Sequence, residues 1–375
     1  MIDPRVTRLA QNICTHSTNL SSADNVLVHA VDIPDEVVAE FVRVAQGTGA
    51  NVVVRLESNR VKRRMLLGMT EANAKLIAAA ELAEMEKMTA YISLRGGDNT
   101  NEQGDVPAET LNLWQKHYAT PVVFECRVPK TKWVAMRWPS PSMAQLAKQP
   151  TDAFEDFYFD VCTLDYSKMA RAAEPLVDLM DRTDRVRITG PGTDFSFSIK
   201  GVGSKSCHGE RNIPDGECFS CPVDGTANGT VQYNTVSLYQ GTEFNNIRFV
   251  VKDGKIIEAE AGEQTAKVNA ILDTDEGARH FGEWSLGYNP YVLHPMKDTL
   301  FDEKIAGSFH LTPGNAYEGK GGGQNKSAVH WDIVCIQRPE YGGGEIWFDD
   351  VLVRKDGLFT LPELQGLNPD QLRDA

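Results

Sequence analysis

Leu300–Val334 reads LFDEKIAGSFHLTPGNAYEGKGGGQNKSAVHWDIV, and its last six residues, Val329-His330-Trp331-Asp332-Ile333-Val334, set how the rest of the chain is read. In an extended strand, neighbouring side chains alternate between faces. His330 and Asp332 then share one face, while Val329, Trp331 and Ile333 share the other and can join a core. An imidazole and a carboxylate held together on a strand make half of a site for a divalent metal. Earlier in the stretch His310 stands between Phe309 and Leu311, with the acid Glu303 shortly before it. From Tyr317 to Asn325 the chain is too rich in glycine for regular structure and reads as a mobile loop over the site. His-x-Asp is a short pattern with many chance matches, and two unrelated core histidines would also produce it.

A chain of 375 residues suggests two domains of ordinary size. With 41% hydrophobic and 24% charged residues, it has the profile of a soluble globular protein. A net charge of −14 argues against a nucleic-acid groove or an anionic-membrane surface, both of which want a basic patch. Such a charge is compatible with a carboxylate-rich interior that binds cations. The sequence has no apolar run long enough to span a membrane. Its mixed, polar start, MIDPRVTRLAQNICTHS, carries no secretory signal. Seven scattered cysteines, an odd number, read as reduced thiols in a cytoplasmic protein. Cys218 and Cys221 form a CxxC with no second CxxC to complete a zinc knuckle.

The first half alternates helix and strand. Residues 4–18 read as an opening helix and Val26–Val31 as a strand. A helix from Pro34 to Gly47 follows, with Val37, Val38, Phe41, Val42 and Ala45 at helical spacing. Then come a strand at Asn51–Leu56, a helix at Glu71–Met88, a strand at Tyr91–Leu94, a helix at Val106–Tyr118 and a fourth strand at Val122–Cys126. This order predicts an open, largely parallel α/β sheet with helices on both faces. His29, in an apolar strand, reads as a hydrogen-bonded core residue, and Gly96-Gly97-Asp98-Asn99 reads as a plain turn. Residues 152–180 are predominantly helical. From Asp184 the texture changes to short strands and glycine-rich turns, including an Asp253-Gly254 hairpin turn. The expected organisation is an α/β domain with a helical connection over residues 1–183 and an α+β metal-binding domain over 184–375.

Two further acids stand in uncharged settings. Glu217 leads into Cys218–Pro222, and Glu283 lies in HFGEWSLG, between glycine and tryptophan. A carboxylate in apolar surroundings is costly unless it is paired or bound to metal. With Glu303, His310, His330 and Asp332 they make four carboxylates and two imidazoles. That is more than one ion needs and suits two ions sharing a carboxylate.

The segments VRITGPGTDFSF, ERNIPDGECFSCPVDGTANGTV, GEWSLGYNP, LFDEKIAGSFHLTPGNAY and SAVHWDIV, with the central PTDAFEDFYFDVCTLDYSKM, resemble the aminopeptidase T / aminopeptidase S family of metallopeptidases. The resemblance is close over most of the second half and extends to the first half as a similar α/β arrangement. It implies metal ligands at Glu217, Glu283, Glu303, His310, His330 and Asp332, and an active-site tyrosine at Tyr317. It also implies two divalent ions per chain (zinc, cobalt or magnesium), an enclosed cavity and a homodimer acting on peptides with a free N-terminus. The implied chemistry is attack by a metal-activated water, with one ion holding the substrate's α-amine. Tyr317 would donate to the oxyanion. Glu318, the next residue, is the candidate to shuttle a proton to the leaving amine.

Two other readings use the same residues. A mononuclear iron dioxygenase that opens hydroxylated pyridine rings needs only two histidines and one carboxylate, available as His310, His330 and Asp332. A non-catalytic, metal-stabilised binding protein would take up metal and gain thermal stability without hydrolysing any peptide.

Overall fold

Apolar strands alternating with amphipathic helices build the first of two units in the computed structural model, which describes residues 2–373. This unit comprises the chain up to Thr163 together with Gly209–Ile213. Its five strands pair in parallel in the order Asn51–Glu57, Asn25–Val31, Ala90–Arg95, Lys132–Arg137, Asn212–Ile213. Val26 through Ala30 are all buried, as a central strand covered by helices on both faces requires. Helix Asp35–Gly47 follows Pro34 and buries Val37, Val38, Phe41 and Ala45. His29 is a core residue, its Nδ1 2.7 Å from the Tyr91 hydroxyl.

One expected element is wrong. Val122–Cys126 is not a strand, and the fourth strand is Lys132–Arg137. Helix Ala108–Trp114 runs on as a π-helical segment, Gln115–Arg127. Tyr118, Val122 and Cys126 recur every four residues and are all buried, so the β-branched run carries the period of a wide helix. Tyr118 and Val122 pack on Ala78 of helix Glu71–Met85. The missing N–H of Pro121 is tolerated within this irregular helix.

The second unit comprises Leu164–His208 and the chain from Pro214 onward. It opens with helix Tyr166–Arg182 and is otherwise dominated by antiparallel sheet. An eight-stranded sheet contains the hairpin of Arg248–Lys252 and Lys255–Glu260. Asp253 and Gly254 turn that hairpin with φ of 49° and 81°. A second, five-stranded sheet runs in the order Ile333–Ile336, Ser308–Pro313, Phe281–Gly287, Glu217–Ser220, Lys205–Cys207. Aromatic edges join the two sheets: Phe195 meets Phe281 at 5.8 Å between ring centres, and Trp284 meets Phe197 at 5.2 Å and Phe348 at 5.8 Å.

The His-x-Asp segment also differs from expectation. Regular pairing begins only at Ile333, and His330 makes a single bridge to Gly314. The alternation nevertheless holds: Val329, Trp331 and Ile333 are buried, while His330 and Asp332 are the more accessible pair. An approach segment rather than a regular strand carries the two polar groups, and residues 313–315 still hold it: the Asn315 N–H donates to the Val329 carbonyl at 2.7 Å and the Trp331 N–H to the Pro313 carbonyl at 3.3 Å.

Candidate metal centre

The register of the five-stranded sheet gathers the polar side chains on one face. Glu283 lies opposite Thr312, Ser285 opposite His310, and Gly287 between Ser308 and Glu217. A bulge between Phe281 and Glu283 shifts the register. Phe281 and Trp284 can therefore both face the aromatic core while Glu283 faces away from it. A Cβ on Gly282 would lie 2.2 Å from the Asn315 carbonyl oxygen, so only glycine admits that backbone. A Cβ on Gly287 would lie 2.6 Å from the Ile305 carbonyl oxygen and 2.9 Å from that of Glu303. Glycine there lets the turn bearing Glu303 and Lys304 lie on the polar face.

Glu283 stands at the middle of the cluster. Its Oε1 is 3.2 Å from His310 Nε2 and its Oε2 is 3.7 Å from His330 Nε2. Glu217 Oε2 approaches His310 Nε2 at 3.6 Å and accepts from the Ser285 hydroxyl at 2.8 Å. Asp332 Oδ1 lies 3.3 Å from His330 Nε2 and accepts from the Thr312 hydroxyl at 2.6 Å. His330 donates from Nδ1 to the Asn315 carbonyl at 2.8 Å, which turns Nε2 toward the acids. Of three sets of three donors among the described residues, two meet here, Glu217–Glu283–His310 and Glu283–His330–Asp332, and Glu283 belongs to both; the third is Cys207–Asp215–Glu217.

The remaining sequence candidates fall at different depths. Glu303 reaches the cluster from the turn after Thr299–Asp302 and accepts from Lys304 Nζ at 2.6 Å, but it is in neither set of three. The Tyr317 ring meets the His330 ring edge-on, with centres 5.3 Å apart, and rests against Phe219. Glu318 is exposed and paired with Lys326 at 2.9 Å, outside both donor sets. The glycine-rich turn packs on Phe219 and Cys221 and helps to wall a cavity of about 460 Å³ lined also by Lys200, Pro222 and Phe281.

Sequence reasoning missed Lys304, Asp215, Ser285 and Thr312. Lys304 is 1% exposed, and its Nζ lies 2.5 Å from Glu217 Oε1 and 3.6 Å from Asp215 Oδ1. Its signal was a lysine directly beside a candidate ligand and followed by IAGSF, where a solvated cation has no place. The two hydroxyls stand opposite or beside ligands in the pairing register, which becomes readable only once the strands are matched.

The electrostatics favour cations. Burial works against a charged imidazole at His310, yet Glu283, Glu217 and Asp332 push it up to about 9. Against the same burial, Asp332 and Glu283 push His330 up to about 10. Burial lifts Glu283 above the ordinary carboxylate range. Burial and the neighbouring acids push Glu303 up to about 8 despite Lys304. Asp332 is held below its ordinary value in spite of burial, by His330, His310 and Thr312. Asp215, Glu217, Glu283, Glu303 and Asp332 thus crowd around one permanent cation, Lys304, and two imidazoles. Oxygen donors with two imidazole nitrogens suit zinc and other divalent first-row metals. The residues fit such ions.

Residues 2–345 match the thermophilic metalloprotease (M29) family. The chain is a member of the M29 family. As an M29 metalloprotease it is a metal-dependent peptide hydrolase. This M29 chain is 23% identical over 378 residues to Aminopeptidase PepS of Streptococcus thermophilus, covering 87% of its own length and 91% of the relative's. Its fold matches wild-type AmpT from Thermus thermophilus with a TM-score of 0.76 at 21% identity, over 96% of this chain and 99% of that one. The fold is shared more distantly with a 2,5-dihydroxypyridine dioxygenase from Pseudomonas putida KT2440, with a TM-score of 0.61 at 15% identity over 97% and 99% of the two chains. The M29 chain therefore has the architecture expected of it, a parallel α/β unit followed by antiparallel sheets that carry the donor cluster.

Proposed function

We propose that this M29 chain is an aminopeptidase that removes the N-terminal residue of peptides with two divalent ions held by Glu217, Glu283, Glu303, His310, His330 and Asp332. The observation that carries the two-ion reading is Glu283, whose two oxygens face two different imidazoles. A carboxylate in that position can bridge a pair of ions. Charge supports the same count. Lys304 offsets one of the five clustered carboxylates, and two divalent ions offset the other four with both imidazoles neutral as ligands. The exopeptidase reading draws on the relative named Aminopeptidase PepS, which is matched over 91% of its length.

Two such ions, when bound, lower the pKa of water and polarise a carbonyl. The protein's own part is to orient and to hold protons. His330 is fixed through Asn315, Asp332 through Thr312 and Glu217 through Ser285, so the donors are set before an ion arrives. The Tyr317 phenol, at the rim beside His330, keeps its proton: partial burial and the acids Glu283, Asp332 and Glu303 hold its pKa above the ordinary value. It can therefore donate to an oxyanion. The resemblance also supports a cytoplasmic homodimer, for which light scattering would give the mass.

The test is a panel of aminoacyl-aminocoumarins offered to metal-stripped protein and to protein reloaded with zinc, cobalt, manganese or magnesium. Hydrolysis restored by metal, with N-acetylated substrates refused, is the expected result. No hydrolysis of any member with any metal would remove the aminopeptidase reading. The ring-cleaving dioxygenase shares the fold but needs one iron, and the buried Glu217 and Glu283 beside His310 favour the pair of ions. Elemental analysis separates the two: one iron per chain supports the oxygenase, and two redox-inert ions support the peptidase. Metal uptake and thermal stabilisation without any turnover would support a binding protein.

A further inference from the structure

Lys304 sits where a third cation would otherwise be drawn. Cys207, Asp215 and Glu217 bring a sulfur and two carboxylate oxygens within 4.8 Å of one another, and the Lys304 ammonium stands among the two acids. The lysine is held from its backbone as well as its tip. Asn289 donates its backbone N–H to the Lys304 carbonyl at 2.9 Å and its side-chain amide to the Asp215 carbonyl at 2.7 Å. The ammonium therefore meets Glu217 and Glu303 from a fixed direction, at 2.5 and 2.6 Å.

This geometry divides the oxygens of Glu217. Oε1 is taken by Lys304, while Oε2 faces His310 and the Ser285 hydroxyl. Glu303 comes from a separate turn, and Lys304 ties its Oε1 to the sheet. We propose that Lys304 is a positioning residue that presents Glu217, and Glu303 beside it, to the ion of the Glu217–Glu283–His310 group. Among the described residues no lysine or arginine pairs with the other group, where Asp332 is held by Thr312. The inference rests on the two-ion reading above and makes it more specific: the two ions have separate supports.

The sign of the effect tests this, because two roles for Lys304 pull in opposite directions. As a bare positive charge it would repel metal, and its removal would tighten binding. As a positioning group its removal loosens the ligands, and lost outer hydrogen bonds typically cost about 10–100-fold in metal affinity. The experiment is chelator-competed titration with cobalt(II), followed by the visible spectrum, on wild type, Lys304→Met, Asp215→Asn and Thr312→Val. Lys304→Met is expected to weaken one ion by about 10–100-fold and leave the other near its wild-type affinity. Asp215→Asn, which removes the charge 3.6 Å from the Lys304 ammonium and lies outside both sets that contain Glu283, should weaken the same ion less, and it carries the test if Lys304→Met does not fold. Thr312→Val should weaken the other ion. Tightened or unchanged binding in Lys304→Met, or equal loss of both ions, overturns the assignment. A wild type that binds a single ion would instead overturn the two-ion reading.

Discussion

The Tyr317 and His330 rings meet edge to face, 67° apart in plane and 5.3 Å between centres. Tyr317 is half exposed and lies beside His330 at the rim of the cluster, in neither donor set. Tyr317→Phe should lower kcat by about 10²–10³, the loss typical of one oxyanion donor, while metal content stays intact. Steady-state kinetics with elemental analysis check this, and wild-type turnover would end the assigned role. Glu318→Gln should stay near wild type, since that carboxylate pairs with Lys326 in solvent.

Glu283 belongs to both donor sets, whereas Asp332 belongs to one. On the two-ion proposal, Glu283→Ala should therefore cost the protein both ions, and Asp332→Ala one. Elemental analysis after dialysis gives the counts. Retention of one tight ion by Glu283→Ala would mean that the carboxylate does not bridge.

How much of this was legible in the sequence depended on which residues carry their own signal. Acids in apolar segments stand out, because an unpaired buried charge is expensive, and Glu217 and Glu283 could be named for that reason; His330 and Asp332 could be named because alternation puts them on one face. Alternation along residues 329–333 survived even though regular strand pairing starts only at Ile333, since burial of Trp331 decides the faces more than the ladder does. The wide helix through Val122 was hidden because its β-branched residues favour strand locally while tertiary packing on Ala78 imposes a helical period. Ser285 and Thr312 act through their position opposite ligands, and cross-strand register is not written in any short window.

Gly282 makes a stability prediction. The bulge it occupies brings the backbone of residues 314–315 so near that a Cβ would collide with the carbonyl oxygens of Asn315 and Gly314, at 2.2 and 2.5 Å. Backbone atoms cannot swing aside as a side chain can. Gly282→Ala should destabilise by about 1–3 kcal/mol, the usual cost of overpacking. It should also disturb Glu283, the next residue, and with it metal binding. Thermal melting of the metal-free and loaded forms measures both effects. A wild-type melting temperature in both would show that the bulge relaxes freely.

The metal-free protein should respond to pH in a defined direction. His310 and His330, at about 9 and about 10, titrate above the ordinary imidazole value of 6.5. A group whose pKa is raised by folding contributes stability that is complete below its unfolded value and disappears as pH rises through its folded value. Metal-free protein should therefore lose stability progressively between about pH 6.5 and 10. Glu303, pushed up to about 8, acts in the same direction from its ordinary 4.5 upward. Asp332 has the opposite sign: held below 3.8, it contributes stability above that value and loses it as acid protonates the folded carboxylate. Metal binding must displace the imidazole protons, so apparent affinity should rise with pH over the same alkaline window and protons should be released on binding. Melting of chelator-treated protein at about pH 6, 8 and 10, with titration calorimetry in two buffers of different ionisation enthalpy, measures both. A melting temperature that rises with alkalinity, or binding without proton release at neutral pH, would mean that the two imidazoles are already neutral among these carboxylates.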